Sequence, residues 1–204
     1  CDDACNWEAV DKHTTTIVTQ NESPAVLKHT LDSIEYFVTL YWEGKATFNE
    51  KAKHYFVLTP MDDHLAFACA FTSTAPSMQP VTVAQTQEEA KNYWNSFWKE
   101  GAAVDFSACT DPRAKELERR VVLSQYLLAI QSAGTTPPQE TGLTYNSWFG
   151  KFHLEMIWWH EAQFALWNRS NLLDRTLGWY EKAEPIARQI AQRQGFDGVR
   201  WMKM

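Results

Sequence analysis

No stretch of this 204-residue chain approaches eighteen consecutive apolar residues, so no membrane-spanning helix is expected. Basic residues are also short: 19 Lys and Arg stand against 25 Asp and Glu, a net charge of -6. Phosphate backbones are bound by basic surfaces, so this balance argues against a nucleic-acid partner. No glycine-rich phosphate loop occurs among the eight glycines. The four cysteines (Cys1, Cys5, Cys69, Cys109) lack zinc-type spacing. They leave two alternatives open, two disulfides of an extracellular protein or four unrelated thiols. His153 and His160 stand seven apart rather than four. His160-Glu161-Ala162-Gln163-Phe164 lacks the closing His of the zinc-protease pattern. No metal and no cofactor is therefore expected. No Ser-His-Asp or Cys-His nucleophile set can be ordered from the sequence, and no internal repeat is convincing.

The opening Cys1-Asp2-Asp3-Ala4-Cys5-Asn6 has neither the basic region nor the apolar stretch of a signal peptide, and reads as a mature or internal start. At the other end, Arg200-Trp201-Met202-Lys203-Met204 stops without a breaker or polar tail. Sequons at Asn21-Glu22-Ser23 and Asn168-Arg169-Ser170 would accept N-glycans in a eukaryotic secretory pathway. These features point to a secreted or extracellular protein, periplasmic if bacterial.

What the chain has in plenty is tryptophan, ten residues in all. The richest stretch is Trp148-Phe149-Gly150-Lys151-Phe152-His153-Leu154-Glu155-Met156-Ile157-Trp158-Trp159-His160. Sugars are bound by such a mixture, flat apolar rings stacking on sugar faces while charged and imidazole groups bond to hydroxyls. A purely buried helix has little reason to carry Lys151, His153, Glu155 and His160. Sealing such groups without partners costs on the order of several kcal/mol.

An apolar fraction of 45% suits a folded core, and the length fills one domain or one and a half. Residues 14–19, 33–41, 55–59 and 64–72 read as strands separated by turn residues, which predicts an antiparallel β-sandwich portion over residues 1–81. The Pro-containing stretch 75–80 closes it. Thr86-Gln87-Glu88-Glu89 predicts a capping box with Thr86 as N-cap. It would open a linker helix (within residues 82–110) through Ala90, Tyr93, Trp94, Phe97 and Trp98. Asp111-Pro112 predicts the start of a second helix, with Leu117, Val121, Ser124 or Gln125, and Leu128 on one face. Residues 152–167 read as a helix apolar almost all round and deeply buried. Residues 175–180 and 185–194 read as further helices, the last closing at Gly195. The class is α+β, with helical hairpins over residues 111–204.

Several of these pieces, in this order, resemble a known family. They are Phe97-Trp98, Gly101-Ala102-Ala103-Val104-Asp105-Phe106, Ser124-Gln125-Tyr126, Pro137-Pro138-Gln139-Glu140-x-Gly142-Leu143 and the Trp148–His160 stretch. Together they are similar to six-hairpin glycosidases of the branch around glycoside hydrolase families 65 and 95, over roughly residues 30–204. The resemblance implies the end of a β-sandwich, a linker and the first hairpins of an (α/α)6 barrel. A further segment or second chain would complete that barrel. It also places the helix after Trp148 along the sugar pocket and the general acid beyond Met204. Where α-fucosidases of this group carry paired asparagines, Lys151 and His153 stand here; Glu155 with His153 is the nearest match to the Trp-Asp-x-Glu motif of the trehalose- and kojibiose-acting branch.

The candidate substrate-binding residues are Trp148, Lys151, His153, Glu155, Trp159, His160, Gln139 and Glu140. Each has a plainer alternative. Glu155 would salt-bridge Lys151 one turn back, the histidines would be hydrogen-bonded interior groups, and Gln139 and Glu140 would form a rigid turn. Trp158 and Trp159 point 100° apart on an α-helix, so at most one faces a pocket and the other is core. Trp94, Trp98, Trp167 and Trp179 are expected to pack. The expected function is part of a glycoside hydrolase cleaving an O-glycosidic bond of an α-glucoside-like or related sugar, with inversion, or with phosphate in place of water. An oligosaccharide or glycoside is the expected partner. The rival readings are a non-catalytic carbohydrate-binding or structural subunit, and an assembly module whose tryptophans are all core.

Overall fold

Alternating β-branched and apolar side chains build six strands in the first part of the chain: β1 (His13–Gln20), β2 (Ala25–Leu31), β3 (Ile34–Trp42), β4 (Ala46–Ala52), β5 (Tyr55–Pro60) and β6 (Phe67–Thr72). The computed structural model describes residues 8–20, 23–76, 82–141 and 147–203. Cys1, Cys5, Asn21, Glu22, Gly142 and Leu143 lie outside the described residues, as does most of the 75–80 stretch. The chain divides into two compact units, Cys1–Trp94 and Asn95–Met204.

In the first unit the strands form an antiparallel four-stranded sheet, ordered β1-β2-β3-β6, and a β4-β5 hairpin. Two-residue turns join β2 to β3 and β4 to β5, with Asp32 and His54 at positive φ, 52° and 62°. Asp32, the first central residue of its turn, has the positive φ that primed hairpin turns require there, whereas His54 is the second of its turn and follows a register shift between Glu50 and Ala52. The core is drawn from both sheets: Ala25, Trp42 and Phe48 are buried, with Ile17, Leu27, Leu40, Phe56 and Leu58 packed on them. Strands β2 and β4 were not expected from the sequence. Lys28 and His29, and Asn49, Glu50 and Lys51, interrupt their apolar pattern, yet one apolar face each suffices once a neighbour supplies the backbone bonds.

The helices are α1 (Val83–Glu100), α2 (Ala114–Ser132), α3 (Ala162–Leu166) and α4 (Ser170–Arg193), four among the described residues. The fold is thus α+β with antiparallel sheet. The capping box of α1 lies four residues earlier than predicted. The Gln85 N–H donates to Thr82 Oγ1 (3.1 Å) and the Thr82 N–H to Gln85 Oε1 (3.0 Å). At α2, Asp111 accepts the Arg113 N–H at 2.8 Å, and the helix follows from Ala114. Its buried residues are Ala114, Gln125, Ala129 and Ser132, whereas Leu117 is exposed.

Two expectations are corrected. Residues 152–167 do not form one buried helix: a π-helical turn, Ile157–Glu161, precedes the five-residue α3, and Trp158, Trp159 and Leu166 are exposed. The expected pair 175–180 and 185–194 is one helix, α4, with Pro185 inside it. Burial of Leu172, Thr176, Ala187 and Ala191 along a single face outweighs the one backbone bond that proline removes. This helix ends in a Schellman motif, with the Phe196 N–H on the Ala191 carbonyl, the Gly195 N–H on the Gln192 carbonyl (both 3.0 Å), and Gly195 at φ 79°. Cys69 and Cys109 are exposed free thiols. Among the described residues no helix is long and apolar enough to cross a membrane.

Candidate functional site

The Pro-Pro-Gln-Glu loop that follows α2 is stitched to the tryptophan-rich segment. Pro137 and Pro138 are buried. The His153 N–H donates to the Pro138 carbonyl (3.1 Å), and Gln139 and Phe152 form an isolated antiparallel bridge. His160 Nε2 donates to the Glu140 carbonyl at 2.9 Å. Proline stiffens the loop by fixing φ, which suits a strut holding a neighbouring segment. Gln139, Glu140, His153 and His160 are therefore brought together, though through backbone groups as much as side chains.

Exposure sorts the candidates. Trp148 and Trp159 are 58% and 65% exposed, and Trp158 is 72% exposed. Lys151 and Glu155 are also exposed, while Gln139, Glu140 and His160 are half-buried. His153 departs from the expectation of a solvent-facing ligand group. It is 3% exposed, its backbone is pinned to Pro138 and its ring lies edge-on to Trp148 with centroids 6.1 Å apart. Its Nδ1 has no hydrogen-bond partner. Glu155 is paired with Lys203 (3.2 Å) rather than with Lys151. The C-terminal segment makes that contact possible, because the Leu154 N–H donates to the Lys203 carbonyl.

The expectation that one of Trp158 and Trp159 is core is also corrected, and the π-helical turn gives the reason. An extra residue in the turn widens the helix and lets consecutive indoles both leave the interior. The same turn carries Glu161 inward. Glu161 is fully buried, its Oε1 accepts the Thr176 hydroxyl (2.9 Å) and its Oε2 has no partner. Burial pushes this carboxyl up to about 7, against which the Thr176 bond works. Burial, and then the charge of Glu161, raises the Tyr180 phenol above its usual range. Sequence reasoning passed over Glu161. In the sequence Glu161 stands only as the matching acidic position of a zinc pattern that fails at Phe164, although an acidic residue amid Trp-Trp-His and Ala was itself a signal.

A second buried group gathers three of the quoted motifs. Arg169, 4% exposed, donates to the carbonyls of Ala102 (3.1 Å), Trp167 (3.2 Å) and Phe97 (3.1 Å) and to Gln125 Oε1 (2.9 Å). Its guanidinium lies 3.9 Å above the Phe97 ring. A Cβ at Gly101 would collide with that guanidinium. The Phe97-Trp98, Gly101-Ala102 and Gln125 motifs thus meet at one cation, in a structural role. Elsewhere in this unit Phe152, Trp179 and Trp201 line an apolar groove of about 170 Å³ with Ile186, Ile190 and Met202.

Among the described residues no group of three or more His, Cys, Asp or Glu could hold a metal ion. Comparison with protein-family models, with curated proteins and with solved structures returns no match for this chain. Chemically, the segment offers exposed flat apolar faces, an ammonium and a carboxylate to solvent. The same stretch carries a buried carboxyl, that of Glu161, which burial raises to about 7.

Proposed function

We infer that this chain is part of a glycoside hydrolase, to which it supplies a sugar-binding subsite. The observation that carries the reading is the exposure of Trp148, Trp158 and Trp159 in one short segment, with Lys151 and Glu155 exposed among them. Single exposed apolar residues need no explanation, but three exposed indoles within twelve residues, two of them on a π-helical turn, do. Stacking on a sugar ring, with Lys151 donating and Glu155 accepting at its hydroxyls, answers to that chemistry.

The resemblance to six-hairpin glycosidases supplies the rest of the proposal. The substrate is an α-glucoside-like or related O-glycoside, cleavage goes with inversion, and the general acid lies outside this chain. A further segment or chain completes the barrel; exposed Leu117, Leu123, Leu127 and Ile130 on α2 support this part. The proposed setting is extracellular, or periplasmic if bacterial, for which the exposed sequon residue Asn168 is the support.

One observation favours a second reading, carbohydrate binding without catalysis. The two carboxyl groups within the tryptophan-rich stretch 148–161 are committed elsewhere, Glu155 to Lys203 and Glu161 to the interior. Calorimetric titration with glucosides and α-linked oligosaccharides tests both readings. Trp159→Ala and Glu155→Gln should each lower affinity about tenfold, roughly 1.4 kcal/mol, with the unfolding midpoint unchanged. Equal affinity in variants and parent rejects the sugar subsite, and binding without bond cleavage, even alongside a completing segment, selects the second reading.

A further inference from the structure

The first unit contains an assembly that the sugar reading does not use. His13 on β1, His29 on β2 and His54 in the β4–β5 turn cluster against one another, all half-buried. The His13 ring stacks on His54 with centroids 3.9 Å apart and lies 5.0 Å from His29. Thr15 stands between the other two: its Oγ1 is 2.8 Å from His29 Nδ1 and 2.9 Å from His54 Nδ1. His54 Nε2 is 2.8 Å from the Val10 carbonyl oxygen.

The hydrogen-bond directions in this chain are forced. A carbonyl only accepts, so His54 Nε2 carries a hydrogen. In the neutral ring Nδ1 is then bare and must accept from the Thr15 hydroxyl. Thr15 has one hydrogen, now spent, so its oxygen accepts from His29 Nδ1–H. The neutral chain runs from His29 through Thr15 to His54. Protonating His54 at Nδ1 makes that nitrogen a donor. The Thr15 hydrogen must then turn to His29, whose Nδ1 has to be bare, with its hydrogen on Nε2. Every link survives, in the opposite direction. A second proton, on His29 Nδ1, would set Thr15 between two donors and leave its own hydrogen without an acceptor in the chain.

We propose that His29, Thr15 and His54 form a one-proton relay that latches the β4–β5 turn to β1 and reverses direction when mildly acidic water charges it. The transfer balances atom for atom. A proton from solvent binds His29 Nε2, the Nδ1 hydrogen of His29 passes to Thr15 Oγ1, and the Thr15 hydrogen passes to His54 Nδ1. No bond other than O–H and N–H forms or breaks. The charged state holds the turn through charge-assisted bonds to Val10 and Thr15, which are stronger than their neutral counterparts.

The surroundings agree on where the charge rests. Burial first, then neighbouring His13 and His54, hold His29 below the usual imidazole range. Asp11 is ion-paired with Lys53, the residue before His54 in the turn, and that bond holds its carboxyl below the usual range. Tyr36 of β3 lies against His29 with centroids 4.9 Å apart, a neutral neighbour. Lys28 and Glu35 pair with each other at 2.6 Å, one residue out of step with His29 and Tyr36 and so on the opposite face of the sheet. His13 Nδ1 is buried without a partner, so that ring stacks on the chain without being a link in it.

The test is to follow imidazole nitrogens by two-bond proton–nitrogen correlation in the full chain labelled at histidine, from pH 8 to pH 5. At pH 8 His29 should be the Nδ1–H tautomer and His54 the Nε2–H tautomer. As His54 becomes imidazolium, neutral His29 should switch to Nε2–H at the same midpoint. Thr15→Val, isosteric and compatible with a strand, should abolish the tautomer switch, and Thr15→Ser should retain it. A His29 that keeps Nδ1–H throughout, or takes up a proton before His54, overturns the relay. So does a Thr15→Val protein, with native amide dispersion, that still shows the coupled switch.

Discussion

The two units treat buried polarity in opposite ways. In the β unit the buried side chains named at the centre of the core are Ala25, Trp42 and Phe48, and His29 and His54 stay half-buried in a directed hydrogen-bond chain. In the helical unit Gln125, Ser132, His153, Glu161, Arg169 and Thr176 are all sealed. Paired strands satisfy one another's backbone, so their facing side chains can be purely apolar. A five-residue helix, a π-helical turn and connecting loops leave carbonyls and hydroxyls inside, and side chains must answer them. Arg169 does so with four acceptors, whereas Glu161 leaves one oxygen unanswered. The difference separates a group that organises a fold from one that strains it.

The comparison breaks first at Arg169. Arg169→Met would strand the carbonyls of Phe97, Ala102 and Trp167 and the Gln125 amide oxygen. Each orphaned acceptor costs about 1–3 kcal/mol, offset in part by removal of a buried charge. A loss of roughly 5 kcal/mol is expected in urea unfolding followed by tryptophan fluorescence. Near-native stability would show that the apolar surroundings, not the cation, hold the unit together.

Trp42→Ala should follow, with about 4 kcal/mol lost from the β unit through an unfilled cavity beside Phe48. If the loss is under 1 kcal/mol, the two sheets do not share a working core.

Glu161 is expected to show as a pH dependence. Its carboxyl is raised from 4.5 to about 7, so between those values the folded state holds a proton that the unfolded state has released. Stability then falls as pH rises through this window, by roughly 3 kcal/mol at 1.36 kcal/mol for each unit, and is greatest below pH 4.5 as far as this group is concerned. Glu161→Gln should flatten that slope between pH 5 and pH 8 in urea titrations. An unchanged slope would assign the dependence to other groups.

The smallest effect is reserved for the surface. Glu116 bonds Arg119 and Arg120, and those bonds hold its carboxylate down to about 2, yet all three side chains stand in water. Glu116→Gln should leave the thermal midpoint where it is at moderate salt, since screened exposed pairs contribute little. A clear drop would mean that α2 depends on its charges more than on its buried face.

How much was legible follows from the same contrast. Strands β1 and β3 declare themselves through runs such as Thr14-Thr15-Thr16-Ile17-Val18-Thr19, while β2 and β4 hide because Lys28, His29, Glu50 and Lys51 break up their apolar pattern. The second unit was harder to read. Pro185 argued for a break that the apolar face of α4 overrode, and Leu117 looked interior but is exposed. At the candidate site, the chemistry of Lys151 and Glu155 correctly suggested solvent. The ring of His153 did not, because its burial depends on a loop fifteen residues away.

Local pattern alone determined the α+β class, the approximate position of the helical region and the concentration of indoles around position 150, since period and composition act over a few residues. Tertiary structure decided which of those groups meet water. A single added residue in the Ile157–Glu161 turn rotates Trp158 and Trp159 outward and Glu161 inward. Whether a carboxyl sits in solvent or beside Thr176 is a matter of neighbours brought from far along the chain, and its proton affinity follows from their dielectric rather than from its own chemistry.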